Sequence, residues 1–230
     1  MAVVIMYEIN QFAFGDGYPS SIADVCVFLM QPLNYTMIMI LPIILTSFRI
    51  SKFDFIYNFT IRQNSWKQIC KKQIKQIAIM SLVFALFFVI CIVIFSLGKK
   101  IPLFNWNVKQ SFFFWRTEII LNFSAAEIYI YFLVCCFLRN FILQNIILLL
   151  EWFGIPRLIG VICIIVISLD EAVRGMDRLV SRLITADYAV WTNSSYRIET
   201  VIQTLVYFFM GYILYQIAIN RKEIKHCGKV

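Results

Sequence analysis

Few residues in this sequence have the types and spacing that enzyme chemistry requires. The one histidine, His226, lies in a basic C-terminal tail, where a solvated side chain is a more common role than a ligand or a base. No Walker A motif, nucleophile elbow or H-E-x-x-H sequence is present. The seven cysteines lie mostly in apolar runs without C-x-x-C spacing, which indicates packing residues. We therefore expect a non-enzyme without a metal or another cofactor.

The most pronounced chemical pattern is a basic segment from Arg49 to Gln76, in which seven Lys and Arg residues accompany a single acid. Apolar side chains recur at helical spacing within it, which predicts two short amphipathic helices separated by the polar run 62–65. Ser65 and Gln68 have the spacing of a capping box that starts a helix at Trp66. Two interpretations remain open: helices that rest on anionic headgroups, or a docking site for a cytoplasmic partner.

The composition of the chain indicates the environment in which this segment lies. The chain is 61% hydrophobic and only 15% charged, whereas soluble domains contain roughly 25% charged residues. This predicts an all-α integral membrane protein. The net charge of +8 comes from basic residues that flank apolar runs, and no nucleic-acid-binding signature accompanies them. By the positive-inside rule, the segment 49–76 and the C-terminal tail lie in the cytoplasm.

The apolar runs predict a single transmembrane domain over residues 1–230 with about five crossings. Residues 1–33 form an external segment, in which Ser21 and Asp24 have the spacing to cap a short helix. The predicted crossings are Leu33–Phe48 extended by Val25–Met30, Ile77–Leu97, one within Ile119–Trp152, Leu158–Leu169 with its continuation, and Val201–Ile219.

Two external features are expected between these crossings. The aromatic cluster between Phe104 and Trp115 is typical of headgroup level, as are Tyr188 and Trp191, so we expect both to lie on the membrane surface. From Asp170 the charges alternate in sign beside an apolar stripe, which predicts an amphipathic outer helix within 170–200 with a solvated polar face. The chain either breaks or re-enters the membrane near Asp170.

Arg139 is the one ionisable residue that the pattern puts near mid-membrane. If the third crossing is Ile128–Leu150, Arg139 lies near its centre, where it requires a protein partner, a sibling subunit or a substrate. If the crossing ends at Leu138, Arg139 marks the inner boundary and reaches the headgroups. Both alternatives remain open, and Arg139 is a candidate intramembrane contact for substrate or subunit.

The sequence resembles the permease subunits of type-2 ABC exporters. The resemblance rests on a span with an internal proline, the stretch Ser47–Ile50, and the stretch Asn58–Lys67 leading directly into a long span. It is most similar to small permeases of bacterial lantibiotic and bacteriocin export or self-immunity. The resemblance implies that Arg62, Ser65, Trp66 and Lys67 belong to a coupling helix, the element that docks on a separate ATPase. The family plan has six spans with a cytoplasmic N-terminus, and the first span is missing here or replaced by residues 1–33.

The resemblance implies a non-catalytic permease in a bacterial cell membrane, moving a peptide antibiotic or another amphipathic substrate. Its expected partners are a cytoplasmic ABC ATPase, typically a dimer, membrane lipid, and a second permease copy or a longer sibling. The alternative is a membrane-embedded immunity, sensor or interaction subunit that binds a peptide at its outer face without transporting it. No nucleic acid partner is expected.

Overall fold

The computed structural model describes residues 5–6, 19–51, 65–174 and 186–227, and these residues form an all-helical protein. The helices are α1 (Ile22–Leu29), α2 (Pro32–Ser51), α3 (Trp66–Gly98), α4 (Phe112–Thr117), α5 (Ala125–Trp152), α6 (Arg157–Arg174), α7 (Tyr188–Thr192) and α8 (Ser194–Cys227). Three of them, α3, α5 and α8, are long and apolar enough to cross a membrane. A fourth crossing is added if α1 and the first part of α2, which meet at 83°, form one bent span.

The long helices form an antiparallel bundle. α3 packs against α5, and α8 packs against both. Because α3 and α5 run in opposite directions, the start of α3 and the end of α5 meet at one end of the bundle. We call this the basic end, since Lys67, Lys71 and Lys222 lie there. The opposite end carries the loop 99–124 and α7, and we call it the aromatic end.

Much of the apolar surface of the bundle faces outward. Among the 18 most apolar consecutive residues of α8, only 22% are buried. In the corresponding stretch of α3, 33% of the residues are buried. Large side chains such as Phe87, Ile94, Leu205 and Phe209 are exposed along these helices. A soluble protein rarely exposes continuous apolar faces of this size, so this surface fits a membrane-embedded protein.

The cap residues predicted from sequence begin the helices as expected. Ser21 and Asp24 form a complete capping box at the start of α1. Ser65 is the N-cap of α3, and its side chain accepts a hydrogen bond from the Gln68 backbone. These contacts satisfy backbone donors that have no partner within the first turn of a helix.

The basic segment differs from the predicted pair of short helices. Trp66 does not begin a separate short helix, because α3 continues without a break from Trp66 through the whole predicted span to Gly98. No proline or glycine interrupts this stretch, so nothing in the backbone chemistry ends the helix near Ile77. Residues 52–64, which contain the first predicted helix and most of the polar run that follows it, lie outside the described residues.

α5 and α6 cover the two stretches in which the sequence left helix limits open. α5 is one helix from Ala125 to Trp152, so Arg139 lies near its centre. Gly154, with a φ of 91°, makes the turn into α6, and the Glu151 carboxylate pairs with Arg157 across that turn at 2.6 Å. α6 runs through Asp170 to Arg174 and therefore does not break at Asp170. Residues 175–185, over which the outer helix is predicted to continue, lie outside the described residues.

Candidate functional site

The basic end is organised around two tryptophans and a lysine. The rings of Trp66 on α3 and Trp152 on α5 meet edge to face with centroids 6.0 Å apart. The Lys222 ammonium of α8 lies 5.1 Å from the centroid of each ring. Trp152 also donates its indole N–H to the Gln73 side-chain oxygen at 2.9 Å. All three long helices are therefore joined within one side-chain cluster, to which cation–π attraction contributes.

The residues assigned to ATPase docking have different surroundings. Ser65 serves as the helix cap, and Trp66 is half-buried against Trp152. Lys67 and Gln68 are exposed on the first turn of α3. Arg62 lies outside the described residues. Within the described part of the predicted docking site, the accessible surface therefore consists of Lys67 and its neighbour Gln68, while Trp66 contacts its own chain.

A cavity of about 290 Å³ lies between α3, α5 and α8 and extends inward from the basic end. Its walls are largely apolar, with Ile74, Phe141 and Leu149 among the lining residues, and Lys67 and Lys71 also line it. Its volume is close to the lower limit of about 300 Å³ that is usual for small-molecule pockets. This cavity was not predictable from sequence, because it is lined by three helices that are distant in the chain.

Gly211 gives the cavity part of its width. It lies on α8 and lines the cavity, and a Cβ atom added there would meet no other atom within 4 Å. Tyr215 on the same helix and Asn145 on α5 are hydrogen-bonded within the cavity wall. The Tyr215 hydroxyl is 3.2 Å from the backbone oxygen of Asn145, and the Asn145 side-chain amide donates to the Phe141 carbonyl at 2.7 Å. The cavity therefore presents mainly apolar surface to an occupant.

Arg139 is completely buried near the centre of α5. Its guanidinium donates a hydrogen bond to the backbone carbonyl of Met30, the residue that ends α1. The same group lies over the Tyr35 ring, 4.9 Å from the centroid. α1 carries no basic residue in its own last turn. Arg139 therefore supplies the positive charge that favours a helix C-terminus, and it faces protein.

Further polar groups lie in the helices around Arg139. Thr36 of α2 donates to the Ser168 hydroxyl of α6 at 2.8 Å. Glu171 is buried and interacts electrostatically with Arg139, so it does not belong to the solvated face predicted for the helix after Asp170. Asp170 forms an ion pair with Arg174 at 2.7 Å. The alternation in charge sign suggested one polar face, but among the described residues Glu171 lies in the interior, whereas Asp170 and Arg174 lie at the surface.

The aromatic end contains a buried hydrogen-bonding hub around Asp24. One carboxylate oxygen accepts from the Trp106 indole at 2.8 Å and from the Tyr188 hydroxyl at 3.0 Å, and the other accepts from Ser21. Burial and the neighbouring Asp24 carboxylate raise the pKa of Tyr188 well above its usual value, so this hydroxyl stays protonated and donates. Trp106 also stacks on Phe113 with centroids 4.4 Å apart.

This hub corrects the prediction of a surface aromatic loop. Trp106 and Phe113 are fully buried and Trp191 is nearly so, while Trp115 remains 46% exposed. The predicted membrane-surface anchors therefore pack mainly against protein. The physical reason is that the buried Asp24 carboxylate requires hydrogen-bond donors. The Trp106 indole and the Tyr188 hydroxyl supply them and therefore point inward. The sequence signal was the Ser21–Asp24 pair itself, which indicated a helix cap but not its partners from later in the chain.

Comparisons with protein-family models, curated proteins and solved structures find no significant match to this chain. The functional assignment therefore depends on the residues and geometry described above.

Proposed function

We propose that this chain is the non-catalytic permease subunit of an ATP-driven type-2 ABC exporter, docked on a separate ATPase at its basic end. The observation that carries the proposal is the continuity of α3. Its first turn offers Lys67 and Gln68 to a partner, and the same helix continues through a candidate membrane span. Since Trp66 contacts both Trp152 and Lys222, movement of this turn would act on all three long helices.

The proposed substrate is a peptide antibiotic or another amphipathic molecule, leaving the cell or its membrane by export or self-immunity. The outward apolar faces of α3 and α8 also leave room for a second permease copy or a longer sibling. In the proposed arrangement five helical crossings lie in a bacterial cell membrane, with α1–α2 and α6 as the crossings beyond the three long helices. The basic end then faces the cytoplasm, where ATP and the ATPase dimer are available.

The alternative, a subunit that binds peptide at its outer face without transport, has weaker support. It relied on an accessible aromatic loop, and Trp106 and Phe113 are buried within that loop. Trp115, Leu103 and Val108 remain exposed there. This leaves a smaller aromatic surface than the sequence suggested.

The docking proposal is tested by purifying the tagged chain from native membranes in mild detergent and assaying the eluate for ATP hydrolysis. We expect wild type to retain an ATPase and the double variant Lys67→Glu/Gln68→Glu to lose it. Both residues are exposed, so the thermal unfolding of the chain itself should change little. Trp66→Ala is less informative, because it also removes the internal contact with Trp152.

Lys109→Glu serves as the matched control, since this lysine is exposed at the opposite end of the bundle. It should leave the associated ATPase activity unchanged. Equal ATPase recovery from the double variant and from wild type would contradict docking at the start of α3. A wild-type eluate without ATPase would contradict the exporter assignment itself.

A further inference from the structure

We propose that the cavity at the basic end binds an anionic phospholipid, with one acyl chain between α3, α5 and α8 and the phosphate at Lys67 and Lys71. These two lysines are four residues apart on α3, so they lie on the same face of the helix. Both line the cavity and both are exposed. Their ammonium groups can therefore reach a headgroup while their side-chain stems cover the apolar wall.

The charge of the lining favours an anionic occupant. The residues that line this cavity include two lysines and no acidic side chain. Lys222 is engaged over the Trp66 and Trp152 rings instead. An anionic headgroup gains attraction from each nearby lysine, whereas a zwitterionic headgroup carries a compensating positive charge. The lysine pair therefore discriminates between lipids that have identical chains.

The shape and polarity of the cavity favour an acyl chain. On α8 the lining extends from Tyr207 to Ile219, a distance of about 18 Å at the helical rise of 1.5 Å per residue. Asn145 and Tyr215 are already hydrogen-bonded within the wall, so an apolar chain leaves neither side chain without a partner. The cavity volume of about 290 Å³ suits one chain and leaves the second chain in the surrounding bilayer.

The membrane is the nearest source of such a molecule. Phe208 lines the cavity, and the adjacent Phe209 is 67% exposed on the outward face of α8. A lipid can therefore move from the bilayer along this helix without crossing water. This inference is independent of the proposed transport function, since it concerns binding by the isolated chain.

The test is lipid binding to the purified, delipidated full-length chain in detergent, measured by native mass spectrometry. Phosphatidylglycerol is compared with phosphatidylcholine of the same chains. We expect preferential retention of one phosphatidylglycerol per chain. Lys71→Gln should weaken that binding roughly fivefold, the effect expected when one lysine no longer contacts an anionic surface. Lys75→Gln is the matched control, because Lys75 is also exposed, lies one turn further along α3 and does not line the cavity.

A second pair of variants tests the acyl-chain site. Gly211→Leu projects a side chain into the cavity without meeting any atom at its Cβ, and it favours the helix over glycine. It should remove the preferential binding while the unfolding temperature stays at or above that of wild type. Gly98→Leu makes the same change at the far end of α3, where a Cβ also meets no atom, and binding should persist.

Equal retention of both lipids, or equal binding by Lys71→Gln and Lys75→Gln, would overturn the assignment of the headgroup site. Unchanged phosphatidylglycerol binding in Gly211→Leu would overturn the cavity as the location of the chain. Stronger retention of an acidic amphipathic peptide, with exclusion of phosphatidylglycerol, would replace the lipid by a peptide occupant.

Discussion

Arg139, midway along α5, caps α1 by donating a hydrogen bond to the carbonyl of Met30. The two residues are 109 positions apart in the chain. α1 meets the beginning of α2 at 83°, and a helix that ends inside a protein leaves carbonyl groups in need of donors. Of the three partners expected for this charge, which were protein of the same chain, a sibling subunit and a substrate, the structure shows the first.

We predict that Arg139→Leu destabilises the chain by about 1–3 kcal/mol, the usual cost of leaving a buried hydrogen-bonding group without its partner. Arg139→Lys should recover part of this loss, since it retains the charge near Met30 but not the planar contact with Tyr35. Thermal unfolding in detergent measures both effects. Val134→Leu is the control, because it changes an exposed apolar side chain on the same helix. If Arg139→Leu unfolds at the same temperature as this control, Arg139 has no structural role.

The hub at the aromatic end predicts different outcomes for two tryptophans of one loop. Trp106→Phe removes an indole donor to the buried Asp24 carboxylate and should cost about 1.5–3 kcal/mol, as hydrogen bonds to charged groups do. Trp115→Phe changes a side chain that is 46% exposed and should remain within about 0.5 kcal/mol of wild type. Chemical or thermal unfolding distinguishes the two variants, and similar unfolding of both would show that the bond to Asp24 contributes little.

The cluster at the basic end predicts an energetic coupling between Trp66 and Lys222. Lys222→Met keeps an extended side chain and removes the charge near both rings. In a double-mutant cycle with Trp66→Leu, the coupling energy should be about 0.5–1 kcal/mol, the range for exposed to partly buried cation–π pairs. Additive effects on stability would indicate that the ammonium group is near the rings without being attracted to them.

Sidedness can be tested with single cysteines introduced after replacement of Cys163, which is exposed, and of Cys227. A membrane-impermeant thiol reagent applied to intact cells should label a cysteine at Asn107 or Lys109 and should not label one at Gln68 or Lys75. All four positions are exposed in the structure, so differences in labelling report the side of the membrane. Labelling at Gln68 from outside would reverse the proposed orientation.

The parts of the fold that depend on neighbouring residues were predictable from sequence. Ser21 and Ser65 satisfy backbone donors within their own first turns, so their roles follow from local spacing. Ser124 and Glu127 form a second complete capping box, at the start of α5, with the same spacing as Ser21 and Asp24. The start of α5 therefore also follows from local spacing.

The candidate site was less predictable, because its contacts join distant positions. The acceptor for Arg139 is a backbone carbonyl, and every residue carries one, so sequence gives no specific signal for Met30. Trp66 matched an exposed anchor by its position in a basic segment, yet its contact with Trp152 depends on the packing of α3 against α5. The cavity arises from that same packing and from the missing side chain at Gly211.

The Asp24 hub also constrains the order in which the chain can mature. Its donors lie 82 and 164 residues further along the sequence, at Trp106 and Tyr188. During synthesis, the Asp24 carboxyl group therefore stays hydrated or protonated until Trp106 and Tyr188 have been made. Both residues must also have reached the side of the membrane on which Asp24 lies. Contacts between such distant positions form slowly. Closure of this hub would then be among the final steps of assembly, and a chain truncated before Tyr188 would leave the Asp24 carboxylate at the start of α1 without one of its hydrogen-bond donors.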